Sequence, residues 1–263
     1  MQAPSAHHVA ITLEPPIARL VLAHGKQNVI DFQMMEELAV GLDTLEGNAE
    51  ISAILISGAG EHFSVGVDIP SHTPEKVETM LTKFHGVIRR LAHTNKVTVA
   101  LVRGYCLGGG AELAMLCDIV LTTQSAHWGF PEIKLGCYPP VACAGLAAAV
   151  GQKRAAELVL TGRIFDGREA AQIGLATRVI EIGKSSGREF PEAADEVERS
   201  LKALSPAALS CAKRALYGWD AAHLEKGLAR AEEIYLKQLI KTEDAKEGIR
   251  AWVEKRDPVW SGK

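Results

Sequence analysis

The 263-residue sequence contains little that would suggest a stapled, membrane-bound or nucleic-acid-binding chain. Its five cysteines are an odd number, and none are spaced C-x-x-C. That argues against a disulfide framework or a zinc knuckle and favours buried free thiols in a cytoplasmic protein. No charge sign dominates: 29 Lys and Arg stand against 32 Asp and Glu, a net charge of −3. A broad nucleic-acid surface, which needs a basic excess, is therefore not expected. There is no apolar run of about 18 residues, so no membrane span is expected. The N-terminal stretch MQAPSAHHVAITLEPP has no basic segment followed by an apolar one and does not read as a secretion signal. The phosphate-loop pattern and a good dinucleotide-binding fingerprint are also missing.

The sequence does hold enough apolar residues, 47%, for a substantial core. HHVAITLEP and IARLVLAH read as a hairpin across Pro15-Pro16. In DFQMMEELAVGLDTLEGN, Phe32, Met35, Leu38, Leu42 and Leu45 recur at helical spacing, with Asp31 placed to cap the helix. ISAILISGAG predicts a strand and a turn, and a second amphipathic helix follows Pro74 to about Ala92. VTVALV and DIVLTT predict further strands. Strands alternating with helices imply an α/β fold with mostly parallel pairing. From Gln152 the chain reads as helical, interrupted by one short strand near ATRVIEI. A boundary near Ser205 separates a core, 1–204, from a helical region, 205–263.

Three stretches suggest chemistry. RGYCLGGGAELAM places Gly108, Gly109 and Gly110 between a strand and a helix, with Glu112 behind them in apolar company. Glycine permits close backbone approach, and a helix start offers unpaired N–H groups that suit a phosphate or an oxyanion. Tight helix-on-sheet packing with a salt-bridged or solvated Glu112 would explain the same residues. HFSVGVDIP (His62–Pro70) is a second strand-to-glycine turn followed by an acid. HWGFPEIKLG (His127–Gly136) sets Glu132 behind a proline, where it could equally be a surface residue.

Together these stretches resemble the crotonase (enoyl-CoA hydratase/isomerase) family, and GYCLGGGAELAMLCDIVLTTQSAHWGFPEIKLG is similar to that family's central signature. The ending EDAKEGIRAWVEKRDPVW is similar to its C-terminal helix. The resemblance implies a spiral of ββα units, a C-terminal helical trimerisation region, and a homotrimer or homohexamer. It implies an acyl-CoA thioester substrate, with coenzyme A as part of the substrate and no separate cofactor or metal. By position, the backbone N–H groups of Val67 and Gly109 match the oxyanion hole, and Glu112 and Glu132 match the two hydratase glutamates. Two close carboxylates in a poorly solvated pocket split their pKa values, so one can take a proton from water while the other gives one to carbon. The family favours Glu132 as the donor. Lys26, Asn28, Val29, Asp68, Trp252 and Lys255 match coenzyme-binding positions. For Asn28, Trp252 and Lys255 the plainer alternatives are a turn-former, a packing residue and a solvated cation.

The sequence departs from the family at two places. Hydratases for straight-chain acyl groups carry a Gly-rich loop with Thr-Gln-Arg after the second glutamate; here it reads YPPVACAGLAAAVG, Tyr138–Gly151. A lysine common beside the first oxyanion turn is replaced by Pro70. SVGVDIPSHTPEKVETMLTKFHGVIRRL is similar to one branch of the family, the cyclohexa-1,5-diene-1-carbonyl-CoA hydratases. Hydration of that cyclic dienoyl thioester is the favoured activity; general 2-enoyl-CoA hydration and double-bond isomerisation are the alternatives. A non-catalytic CoA-ester- or RNA-binding relative is disfavoured because both glutamates and both oxyanion turns are kept. His72 and His85 are read as ordinary loop and helix-face histidines rather than pocket residues.

Overall fold

The computed structural model describes residues 7–183, 188–218 and 220–262. Residues 1–6 of the N-terminal stretch read above lie outside this range. In chain order the elements are β1 (Val9–Glu14), β2 (Ile17–Leu22), α1 (Phe32–Gly47), β3 (Ala53–Gly58), α2 (Val77–His93), β4 (Val97–Val102), β5 (Tyr105–Leu107), α3 (Gly109–Met115), β6 (Ile119–Thr123), β7 (His127–Gly129), α4 (Pro140–Val150), α5 (Gln152–Thr161), β8 (Ile164–Asp166), α6 (Gly167–Gln172), β9 (Arg178–Ile180), α7 (Glu189–Lys202), α8 (Pro206–Tyr217), α9 (Asp220–Lys237) and α10 (Glu243–Glu254). Three 3-10 turns, Ile69–His72, Pro131–Leu135 and Leu239–Lys241, lie between them.

The large sheet runs β1-β2-β3-β4-β6-β9, antiparallel at its first pair and parallel beyond. A small sheet, β5-β7-β8, forms a second layer, and isolated bridges Ile30↔Val67 and Ser64↔Cys106 extend it toward the start of the chain. Each turn of chain thus gives one strand to the large sheet and one short segment to the small one. This is the expected spiral of ββα units.

Period-two alternation sends the strand residues to opposite faces. Leu20, Leu22, Ile54, Ile56, Ala100 and Val102 join the main core with α1 and α2. Ile17, Ala53, Leu55, Val97 and Val99 pack on the other face with Leu201 of α7. Both faces are covered, as a parallel sheet requires. Asp31 caps α1 by accepting from Met34 N at 2.8 Å, and Met35, Leu38, Leu42 and Leu45 are buried as their spacing predicts.

Three expectations need correction. The chain beyond Gln152 holds two short strands rather than one, since β8 precedes β9. Tyr138–Gly151 is not a loop: from Pro140 it is α4, because a proline at the first position is compatible with a helix start. Of the five free cysteines, Cys106, Cys117 and Cys137 are buried, whereas Cys143 and Cys211 sit on the outer faces of α4 and α8. Among the described residues no helix is long and apolar enough to cross a membrane.

Candidate active site

The turn after β3 is tied to the turn before α1. Ile30 N donates to Gly66 O at 2.9 Å and Asp68 N donates to Ile30 O at 3.1 Å. In such a ladder the intervening residue's N–H faces the opposite side, which turns Val67 N–H toward α3. Gly109 opens α3, so its N–H has no acceptor within the helix. The two amides are close: a methyl group on Gly109 would lie 3.4 Å from Val67 N, 2.8 Å from Val67 Cγ2 and 3.0 Å from Phe84 Cζ. Gly109 is therefore bare because there is no room for a side chain. Gly108 is bare for a different reason: its φ is +50°, and a methyl group there would meet Glu132 Oε1 at 2.7 Å.

Glu112, one turn into α3, is only 3% exposed. Its Oε1 accepts from Val141 N at 2.9 Å and Ala142 N at 3.0 Å, free N–H groups of the first turn of α4. Burial pushes its carboxyl up from 4.5 to about 7, against the pull of those two bonds. Glu132 stands on the Pro131–Leu135 turn. The residue as a whole is partly exposed, but its Oε2 is buried without a hydrogen-bond partner among the described residues. Burial first, and the Glu112 charge second, raise its carboxyl well above the ordinary range. The two acids are neighbours with unequal support: Glu112 has two donors for its charge, and Glu132 has an oxygen with none.

One cavity takes in Val67, Gly109, Glu112 and Glu132 together with Phe84, Leu81, Tyr138 and Tyr235. His72 and His85 also line it, which corrects their reading as ordinary packing residues. The α4 amide donors were missed in the sequence, although Pro139-Pro140 signals a helix start with exposed N–H groups. Tyr235 reaches the cavity from α9, far along the chain, and no local motif announces it.

The six coenzyme-binding candidates lie outside this cavity lining. Asn28 must be corrected. It is fully buried, its side-chain amide donates to Ala59 O, His62 O and Phe63 O, and its Oδ1 accepts from His24 N, so the side chain staples a turn and has no free atom for a ligand. Lys26 is exposed on that turn, and the carbonyl of the half-buried Val29 accepts from His24 Nδ1. Asp68 Oδ2 accepts from Ser71 Oγ at 3.1 Å. Trp252 is 47% exposed near the end of α10, and Lys255 ends that helix at φ +54°. Helix α10 rests on the Glu132 turn, where a methyl group on Gly248 would collide with Leu135 O. His8, His24 and Asp31 bring three potential metal ligands within 4.8 Å of one another. The two rings stack 3.8 Å apart and nearly parallel, so no single ion lies in both ring planes at bonding distance.

The family model for enoyl-CoA hydratase/isomerase matches residues 14–263. The chain belongs to the enoyl-CoA hydratase/isomerase family. This family acts on CoA thioesters, and the hydratases among its members are carbon–oxygen lyases. One family relative is the cyclohexa-1,5-dienecarbonyl-CoA hydratase of Thauera aromatica, 30% identical over 262 residues, covering 100% of this chain and 99% of the relative. A probable enoyl-CoA hydratase of Rhizobium meliloti is 36% identical over 231 residues, covering 87% and 88%. The fold is also that of a solved enoyl-CoA hydratase from Mycobacterium avium subsp. paratuberculosis, with a TM-score of 0.87, 26% identity, and 98% and 100% of the two chains covered.

Proposed function

We propose that this protein is a hydratase adding water to the conjugated double bond of an acyl-CoA thioester, with cyclohexa-1,5-diene-1-carbonyl-CoA as its favoured substrate. The observation that carries the reading is the pair of buried carboxylates with unequal hydrogen-bond support. Glu112, with two N–H donors, is the better carrier of negative charge, while Glu132 retains a proton in its unsupported position. A water between them gives a proton to Glu112 as its oxygen attacks the β-carbon. The electron pair moves to the thioester oxygen, held by Val67 N–H and Gly109 N–H. Glu132 then delivers its proton to the α-carbon, and proton exchange between the acids resets the pair. Each oxyanion donor contributes about 3–4 kcal/mol to such a step.

The cyclic substrate is supported by the full-length similarity to the Thauera aromatica protein and by an apolar cavity walled by Leu81, Phe84 and Tyr138. Lys26, Trp252 and Lys255 are assigned to the coenzyme, as exposed cations and an aromatic face. A trimer or hexamer is supported by the exposed Leu204, Leu216 and Val253, and light scattering tests it.

Purified protein is offered crotonyl-CoA and the cyclic dienoyl-CoA separately, with ultraviolet and mass-spectrometric detection. Gain of one water with preference for the cyclic diene is the expected result. Preference for crotonyl-CoA removes the substrate assignment, and double-bond movement without water gain replaces hydration by isomerisation.

A further inference from the structure

His85, on α2, has no exposed surface. Its Nδ1 lies 2.7 Å from Glu232 Oε1 on α9, and the Arg89 guanidinium donates to the same oxygen at 3.0 Å. The bond from His85, together with Arg89, holds the Glu232 carboxyl below its ordinary range despite burial. An ionised carboxylate only accepts hydrogen bonds, so the His85 proton sits on Nδ1, and in the neutral ring Nε2 presents a lone pair. That Nε2 is buried and has no partner among the described residues, yet His85 lines the cavity that holds Glu112 and Glu132. The Tyr138 hydroxyl, also at the pocket wall, is committed elsewhere, donating to Ala231 O at 2.6 Å. A buried acceptor fixed by a carboxylate and an arginine, and left without a partner at the wall of the pocket, is built for a donor that arrives with the ligand.

We propose that His85 Nε2 accepts a hydrogen bond from a hydroxyl carried on the acyl group away from the carbon being hydrated, which makes His85 a specificity-determining residue for hydroxylated acyl-CoA esters. This rests on the acyl-CoA reading above. Glu232 and Arg89 are positioning residues: they fix the tautomer and the ring plane. The expected discrimination is about tenfold, the value of one hydrogen bond in a buried site.

The test uses probes that the enzyme can neither hydrate nor dehydrate: benzoyl-CoA and its 2-, 3- and 4-hydroxy derivatives, titrated calorimetrically into the whole protein. At least one hydroxy isomer binds the wild type about tenfold more tightly than benzoyl-CoA. His85→Phe abolishes the preference while keeping benzoyl-CoA affinity, and His85→Gln, which keeps an acceptor near Nε2, restores part of it. The proposal is overturned if no hydroxy isomer exceeds benzoyl-CoA in the wild type, a comparison that needs no variant to fold. It is overturned equally if the preference survives in His85→Phe. Equal binding of all four probes by a wild type that still hydrates an enoyl-CoA removes the role of His85 alone. Failure to bind any ester removes the acyl-CoA reading with it.

Discussion

Replacing Glu112 by glutamine separates its structural work from its chemical work. The glutamine carbonyl can still accept from Val141 N and Ala142 N, so the junction of α3 and α4 is kept. The variant cannot take a proton from water, and the hydration rate is expected to fall about 10²- to 10⁴-fold, the usual range for a lost general base. Stability should change in the opposite sense, and only at higher pH. The folded-state pKa of Glu112 is raised, so its contribution to wild-type stability is present below 4.5 and is lost as pH rises toward about 7. The interval from 4.5 to about 7 corresponds to about 3 kcal/mol. Denaturant unfolding of both proteins between about pH 4 and 8 measures it. The gap between Glu112→Gln and wild type should widen in favour of the variant by up to about 3 kcal/mol and then level off. A gap independent of pH would refute the claim that burial of this carboxyl sets its protonation.

Glu132→Gln is expected to lose hydration by a similar factor while keeping coenzyme ester binding, and the double variant should be little worse than either single one because the acids act as a unit; steady-state rates and calorimetry check both statements. Gly109→Ala places a methyl group 2.8 Å from Val67 Cγ2 and 3.0 Å from Phe84 Cζ, which moves one oxyanion donor and should reduce kcat about 10²-fold; an intact kcat would remove Gly109 N–H from the mechanism. Asn28→Ala deletes three donated bonds in a buried turn and should destabilise the protein by about 2–4 kcal/mol in urea unfolding.

Elements with strong local patterns were legible from sequence. Asp31 with its apolar helix face, and the buried runs AILISG and VTVALV, specify α1, β3 and β4 through periodicity and capping. The three-residue strands β5, β7 and β8 were not, because their pairing is decided by which turns of the spiral stack on each other. The same division holds at the site. Val67, Gly109, Glu112 and Glu132 stand in dense motifs and come together around one cavity. Asn28 kept its motif position but serves the turn, and a hydrogen-bond network across distant segments is invisible to local reading. His85 illustrates the limit: its burial follows from the face of α2, but its partner Glu232 is 147 residues away.

That separation has a temporal meaning. A growing chain finishes both glutamates and both oxyanion turns well before α9 exists. At about 5–20 residues per second, the stretch from Glu132 to Glu232 takes roughly 5–20 s to synthesise. During that interval the spiral has its acids but no Tyr235 wall and no clamp on His85, and the cavity lies open to water along one side. Water access should hold the acids closer to their ordinary ionisation, so the catalytic centre becomes poised for proton transfer only when the last helices dock. Completion of synthesis is thereby coupled to activation, and a chain truncated before α9 would carry Val67, Gly109, Glu112 and Glu132 yet lack the dry environment that makes them work.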